Sequence, residues 1–75
     1  MDWKEWVVFD SQICHGQATI RGTRIPVSVI LDNLAAGMTP KEIIQSYPSL
    51  SPASVQAAIA YAADLTHERV IVIPD

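Results

Sequence analysis

The sequence has few of the residues that small proteins use to cross-link themselves. It contains one cysteine, Cys14, in 75 residues, which excludes a disulfide within the chain. Cys14, His15 and His67 would leave a zinc ion without a fourth ligand and lack the usual spacing, so no metal site is predicted. Domains this short are usually stabilised by a disulfide, a metal or a partner chain. We therefore expect a partner, and a homodimer or higher oligomer at micromolar concentration.

Long apolar runs and strong net charge are also missing. The N-terminal residues lack the basic segment and apolar core of a signal peptide. The longest nearly apolar stretch, Val55–Ala63, is too short to cross a membrane and contains Gln56. These absences predict a cytoplasmic protein without a membrane partner. The formal net charge of −3 argues against a general electrostatic attraction to nucleic acid.

No set of side chains has the arrangement of a catalytic site. Cys14 and His15 are adjacent in a predicted turn, so their side chains point apart, and no third group is evident to orient them. Asp10, Asp32 and Asp64 show no pairing suited to acid–base chemistry, and a solvated surface explains them better. The sequence therefore predicts no enzyme, no cofactor and no small-molecule substrate.

The apolar residues, 49% of the chain with a mean hydropathy of +0.21, fall into recognisable elements. Trp6–Phe9 and Val70–Ile73 are rich in strand-forming residues and predict two short strands. Thr19–Ile25 is predicted to be extended, with a bend or bulge at Gly22. Ile25 precedes a proline, which biases it away from helix.

The first helix is predicted near residues 27–36 from an apolar stripe of helical period. The members of this stripe are Val27, Ile30, Leu31, Leu34 and Ala35. Gly37 follows at the position where helices favour a residue in the left-handed conformation, so we expect the helix to end there.

Two further helices are predicted near residues 40–46 and 52–65 from their start signals. Thr39 is placed as an N-cap, with Pro40 at the first helical position and Glu42 as the partner in a capping box. For the third helix, Ser51 is likewise placed as the N-cap and Pro52 at the first helical position.

The order of elements predicts a mainly α single domain over residues 1–75. It comprises an extended N-terminal segment (1–25), a three-helix core (26–66) and a C-terminal strand (70–73). Two short capped helices after a longer one fit the helix-turn-helix plan. A three-helix bundle without a DNA role fits the same pattern, because a fold does not fix a function.

If the chain binds DNA, its third helix is the recognition helix, although this helix has no lysine or arginine before Arg69. The candidate DNA contacts are Arg21, Arg24, Thr39, Lys41, Ser51, Ser54 and Gln56.

The third helix is apolar on more than one side, which favours a protein–protein contact. We expect Val55, Ile59 and Ala62 to face the core of the domain. The candidate partner-binding residues are Ala57, Ala60, Tyr61, Leu65, Val70, Ile71, Val72 and Ile73.

The segment Arg21–Val27 holds two of the five basic residues. Arg21 and Arg24 could bind phosphate or the carboxylates of a partner. Equally, they could hydrogen-bond the carbonyls and caps of their own loop.

Five segments of the chain together resemble one protein family: Cys14–Gly16, Arg21–Val27, Ala36–Pro40, Tyr47–Leu50 and Val55–Ala58. They look like domain of unknown function 433 (DUF433). The pattern of that family is a glycine, the run R-G-T-R-I-P-V, A-G before a short capped helix, Y-P-x-L and an alanine-rich third helix. The run R-G-T-R-I-P-V followed by Y-P-x-L at this distance is specific.

The resemblance implies a prokaryotic protein with a homeodomain-like three-helix core. It further implies an antitoxin-like component of a type II toxin–antitoxin system, which masks a toxin of the PIN-like nuclease class and, as a dimer, regulates transcription at its own operator. No catalytic residues carry over. The charge-poor third helix and the tail Val70–Ile73 depart from the pattern, and weigh more against DNA binding than against a partner. The alternative is a protein-interaction module with a vestigial helix-turn-helix that binds no DNA.

The two predicted terminal strands need partners for their backbone groups. They could pair within one chain, across a dimer, or with the edge of a toxin's sheet. Pairing across the dimer is the favoured expectation, because it would also supply the extra burial that so short a chain needs.

Overall fold

The computed structural model describes residues 1–67 as a mainly helical fold with a small sheet. After a 3₁₀ turn at Trp3–Glu5 come the strands β1 (Val7–Val8) and β2 (Thr19–Ile20), with a left-handed turn, Cys14–Gly16, between them. The helices are α1 (Val27–Ala35), α2 (Pro40–Ser46) and α3 (Pro52–His67). The three predicted helices are confirmed to within two residues at each end. The predicted strand Val70–Ile73 lies outside the described residues.

The end of α1 is formed as its glycine predicts. Gly37 has a φ of +96°, a conformation that glycine adopts without a steric penalty. Its N–H donates to the carbonyl of Leu34 at 3.0 Å, and the N–H of Met38 donates to the carbonyl of Asn33 at 3.0 Å. These are the two hydrogen bonds of a Schellman motif, which satisfies the last carbonyls of the helix.

The starts of α2 and α3 are closed by side chains. Thr39 Oγ1 accepts from the N–H of Glu42 at 3.2 Å, and Glu42 Oε1 accepts from the N–H of Thr39 at 3.0 Å. The predicted capping box is therefore confirmed. In α3 the N–H of Ser54 donates to Ser51 Oγ at 3.1 Å, and Ser54 Oγ accepts from the N–H of Ser51 at 3.3 Å. The second cap is thus reciprocal too, with a serine in the place of the glutamate.

All three helices and both strands contribute to one hydrophobic core. Its buried members are Val7, Ile20, Val27, Ile30, Ile43, Leu50, Val55 and Ala58. Because the strands each supply a buried residue, the N-terminal segment is part of the core of the domain.

The N-terminal strand has its partner within the chain. β1 pairs antiparallel with β2, Val7 opposite Ile20 and Val8 opposite Thr19, and the N–H of Arg21 donates to the carbonyl of Trp6 at 2.7 Å. One edge of this strand is therefore paired with Thr19–Ile20, a segment that was not among the expected partners, because a nearby segment of the same chain satisfies its backbone groups at a small cost in loop closure. Pairing of the terminal strands across a dimer stays a prediction.

The buried face of α3 is rotated from the predicted one. It consists of Ser54, Val55, Ala57 and Ala58, whereas Ile59, expected in the core, is 37% exposed. Ala35, the last member of the predicted stripe in α1, is also exposed. The periodicity of an almost uniformly apolar helix does not fix its rotation, and the packing of the neighbouring segments does.

Among residues 1–67, no helix is both long enough and apolar enough to traverse a lipid bilayer.

We predict that Thr39→Ala lowers the free energy of unfolding by about 1 kcal/mol, because it removes the hydroxyl that accepts from the first turn of α2. Urea denaturation measures the change. The matched control is Thr66→Ala, an exposed threonine whose hydroxyl donates to the carbonyl of Ala63 in α3. We expect less than about 0.5 kcal/mol there, and equal losses in the two variants would contradict a specific role for the cap.

The same cap predicts a dependence of stability on pH. Hydrogen bonds from the backbone and side chain of Thr39 lower the pKa of Glu42 below its ordinary value of 4.5. The folded state thus binds this proton less tightly than the unfolded state, so the stabilisation is present above the unfolded pKa and is lost as the pH falls through the folded pKa. We expect the chain to lose more stability than Glu42→Gln between pH 7 and about pH 3, measured by denaturation at each pH. Parallel pH profiles would contradict this prediction.

Candidate partner-binding surfaces

The loop Arg21–Arg24 is held by hydrogen bonds that leave its arginine side chains exposed. Thr23 Oγ1 donates to the carbonyl of Ile20 at 2.7 Å and accepts from the N–H of Ile25 at 3.0 Å. The N–H of Ile20 donates to the carbonyl of Ile25 at 3.1 Å, and Gly22 turns the chain with a φ of +78°. The loop is therefore a small closed structure, built by threonine and the backbone.

This geometry does not support the interpretation in which the arginines hydrogen-bond their own loop. The hydrogen bonds that close the loop come from Thr23 and the main chain. In the part of the chain that the structure describes, the guanidinium groups of Arg21 and Arg24 make no hydrogen bond, and both residues are exposed. Such groups can bind carboxylates or phosphates in a forked geometry.

The turn Cys14–Gly16 packs against the same loop. Cys14 and His15 have φ values of 51° and 56°, followed by Gly16 at 81°, so three successive residues are left-handed. Left-handed conformations are unfavourable for residues with a Cβ atom. The Cys14 thiol lies 3.3 Å from the carbonyl of Arg24, to which it donates. Two of the segments that carry the family resemblance are thus in contact, and the cysteine has a structural role there.

The predicted DNA contacts on α2 and α3 are only partly available. Ser54 is 4% exposed and its hydroxyl lies 3.0 Å from that of Ser51, so its prediction as a DNA contact is wrong. Thr39 and Ser51 use their hydroxyl oxygens as caps. Lys41 and Gln56 are exposed.

The four exposed candidates, Arg21, Arg24, Lys41 and Gln56, lie on different elements. Arg21 and Arg24 lie on the loop before α1, Lys41 lies in the first turn of α2, and Gln56 lies in α3. No hydrogen bond joins their side chains within residues 1–67. A DNA surface would therefore have to combine residues from three parts of the chain.

An aromatic cluster covers one side of α3. The rings of Trp3 and Tyr61 meet edge to face, with centroids 4.8 Å apart and an interplanar angle of 75°. Phe9 lies 6.0 Å from Tyr61, and the indole N–H of Trp3 donates to the carboxylate of Asp64. Sequence reasoning missed this cluster. The signal available in the sequence was a single tyrosine among the alanines of the third helix, together with a tryptophan and a phenylalanine near the N-terminus.

The structure changes the set of predicted partner-binding residues in α3. Ala57 is fully buried, so its prediction as a partner contact is wrong. Tyr61 is half-buried beneath Trp3 and Phe9, which means that its own chain covers part of the face assigned to a partner. Ala60 is half-buried, and Leu65 is 46% exposed.

Leu65 and Tyr61 form one wall of a groove of about 360 Å³. The other lining residues come from the segment before β2 and from α1: Gln17, Ala18, Val27, Ser28 and Leu31. Apolar side chains make up most of this lining. Among residues 1–67, no group of three or more histidine, cysteine or acidic side chains is placed to bind a metal ion.

We predict that Thr23→Val destabilises the domain by about 2 kcal/mol, because valine keeps the shape but neither donates to Ile20 nor accepts from Ile25. Thermal and urea denaturation measure the loss. Thr23→Ser keeps the hydroxyl and serves as the control, with a loss below about 1 kcal/mol. Equal destabilisation by valine and serine would show that the hydroxyl does not hold the loop.

Comparison with known proteins places these features in a family. The model of DUF433, described as a protein of unknown function, matches residues 7–62. The uncharacterized protein y4eO of Sinorhizobium fredii (strain NBRC 101917 / NGR234) is 32% identical over 59 residues. That alignment covers 79% of this chain and only 27% of the relative.

A solved structure has the same fold. The crystal structure of a DUF433 member protein from Anabaena variabilis, determined at 2.00 Å resolution, matches with a TM-score of 0.74 and 32% identity. The match covers 83% of this chain and 61% of the Anabaena chain. Since the family model spans both strands and most of the helical core, the chain belongs to the DUF433 family.

Proposed function

We propose that this chain is an antitoxin-like regulatory protein of a type II toxin–antitoxin pair. In this proposal it acts in the cytoplasm without catalytic activity, and binds and neutralises a nuclease toxin of the PIN-like class. A homodimer would bind operator DNA through a helix-turn-helix formed by α2 and α3. The family resemblance supplies the functional class, and the exposed face of α3 supports the protein-binding part.

That exposed face carries the proposal, because its chemistry suits a protein surface. Gln56, Ile59 and Ala63 are solvent-facing at helical spacing, beside the half-buried Ala60. The free face of a surface helix is normally polar or charged. Here three of the four side chains are small or apolar, and Gln56 is uncharged, so a partner helix or strand can approach the backbone closely and bury Ile59. We call these four residues the α3 outer face.

The DNA-binding part rests on the helix order and on the exposed basic residues. α2 and α3 are joined by Tyr47–Ser51, a short connection between two capped helices, which fits the helix-turn-helix plan. Phosphate contacts would come from Arg21, Arg24 and Lys41. A dimer would bring about six such charges, so the logarithm of the DNA affinity should fall against the logarithm of the salt concentration with a slope near −5.

The alternative remains an interaction module with a vestigial helix-turn-helix. What favours it is that α3 has no lysine or arginine in Pro52–His67, whereas recognition helices commonly read bases with such residues. Both versions place a protein partner on the α3 outer face and differ only in the DNA.

The test measures two affinities of the same purified chain: one for the nuclease encoded beside its gene, and one for a DNA fragment upstream of that gene pair. Ile59→Asp should weaken toxin binding at least about tenfold, because it places a charge in a buried contact. Gln45→Asp, an exposed change on α2, adds the same charge elsewhere and should leave toxin affinity unchanged. Arg24→Ala and Lys41→Ala should weaken DNA binding and reduce the magnitude of the salt slope by about 2 each, because each substitution removes two charges from the dimer.

The outcomes separate the candidates. Binding to the nuclease without binding to the DNA at low salt would establish the interaction module. Binding to neither would contradict the antitoxin proposal. Unchanged DNA affinity in Arg24→Ala and Lys41→Ala would show that the basic surface is wrongly placed.

A further inference from the structure

The groove beside α3 exposes apolar surface that nothing in residues 1–67 covers. Its walls include Ala18, Val27, Leu31 and Tyr61, and Leu65 at its edge is 46% exposed. Phe9, which contacts Tyr61, is 58% exposed. The groove volume of about 360 Å³ lies within the range of about 300–1,000 Å³ that is typical of occupied pockets.

The chain continues from this groove with a segment of matching chemistry. The described part of α3 extends to His67, only two residues beyond Leu65. The sequence then reads Glu68-Arg69-Val70-Ile71-Val72-Ile73-Pro74-Asp75, so an apolar run begins three residues further along the chain. A chain of eight residues, 68–75, spans at most about 26–29 Å, which is more than the last two turns of α3 that line the groove.

We propose that this groove is the binding site of the chain's own segment Val70–Ile73. In an extended segment, alternate side chains point to the same side, about 6.6 Å apart. The segment has two such alternate pairs to offer to a groove, the two valines and the two isoleucines. This inference is independent of the proposed antitoxin function, and it leaves the α3 outer face free for a partner.

The covalent connection to the groove favours the segment of the same chain over the same segment of a second copy. A segment joined to its site by a short connection is present at an effective concentration in the millimolar range. A second copy at micromolar concentration therefore competes about a thousandfold less well for the same contacts. The groove is thus filled within the chain before association begins, and a dimer would form through other surfaces.

Nuclear magnetic resonance on the full chain tests the contact directly. We expect nuclear Overhauser effects between the ring protons of Tyr61 and methyl groups of Val70–Ile73. A sample mixing isotope-labelled and unlabelled chains distinguishes the occupants, because contacts within one chain vanish from the filtered spectrum and contacts between copies remain. Contacts seen only between copies, or none at all, would overturn the proposal.

A double-mutant cycle, measured by thermal denaturation of full-length variants, provides an independent test. The tail variant carries Val70→Ser, Ile71→Ser, Val72→Ser and Ile73→Ser, and the groove variant carries Leu65→Ser. Each should lower Tm by about 4–8 °C. The variant that combines both sets of substitutions should lose less than the sum of the two shifts, because the tail and the groove variant remove the same contact. Ile59→Ser, an exposed apolar residue of α3 outside the groove, is the matched control and should be additive with the tail variant. Additive shifts for Leu65→Ser would overturn the proposal.

Discussion

The packing of α3 is the constraint on which the rest of the structure depends. This helix contacts α1, α2 and the N-terminal 3₁₀ turn, and its buried positions include Ala57 and Ala58, which are fully buried. Small side chains let the helix backbone approach its neighbours closely, so the core forms without large residues from α3. A larger residue at either position would have to displace the helix. The alanines that make α3 appear featureless in sequence are therefore what allows a chain of this length to close its core.

The N-terminal segment completes this packing. Trp3 and Phe9 contact Tyr61, and β1 contributes Val7 to the core while pairing with β2. A short domain buries a limited share of its surface, and here a segment without helices supplies cover that a fourth helix would otherwise provide. Part of the apolar excess that suggests a partner chain is thus used within one chain.

The two kinds of exposed surface differ in chemistry. The loop Arg21–Arg24 presents exposed cations on a backbone fixed by Thr23 and braced by Cys14. The α3 outer face presents Ile59, two alanines and the uncharged Gln56. An anionic ligand suits the first surface and an apolar protein surface suits the second, so one chain carries two separate recognition chemistries. Fold similarity alone does not fix a function. Binding measurements on these two surfaces are therefore what can establish the function.

The sequence by itself determined the helices, because their ends depend on local chemistry. Thr39, Glu42, Ser51 and Gly37 satisfy the terminal backbone groups of their own helices with atoms only a few residues away. The family, too, was predictable from short motifs whose spacing can be read directly along the chain.

Only the tertiary structure decided which face of α3 is buried and which strand pairs with which. An apolar helix offers several faces of similar hydrophobicity, so contacts with distant segments, such as the contact of Trp3 with Tyr61, decide its rotation. They bury Ala57 and leave Ile59 exposed. Likewise, β1 could pair with any edge strand, and the proximity of β2 after folding selected it. Local interactions act over a few residues and are visible in sequence, whereas burial and pairing depend on which segments meet in space.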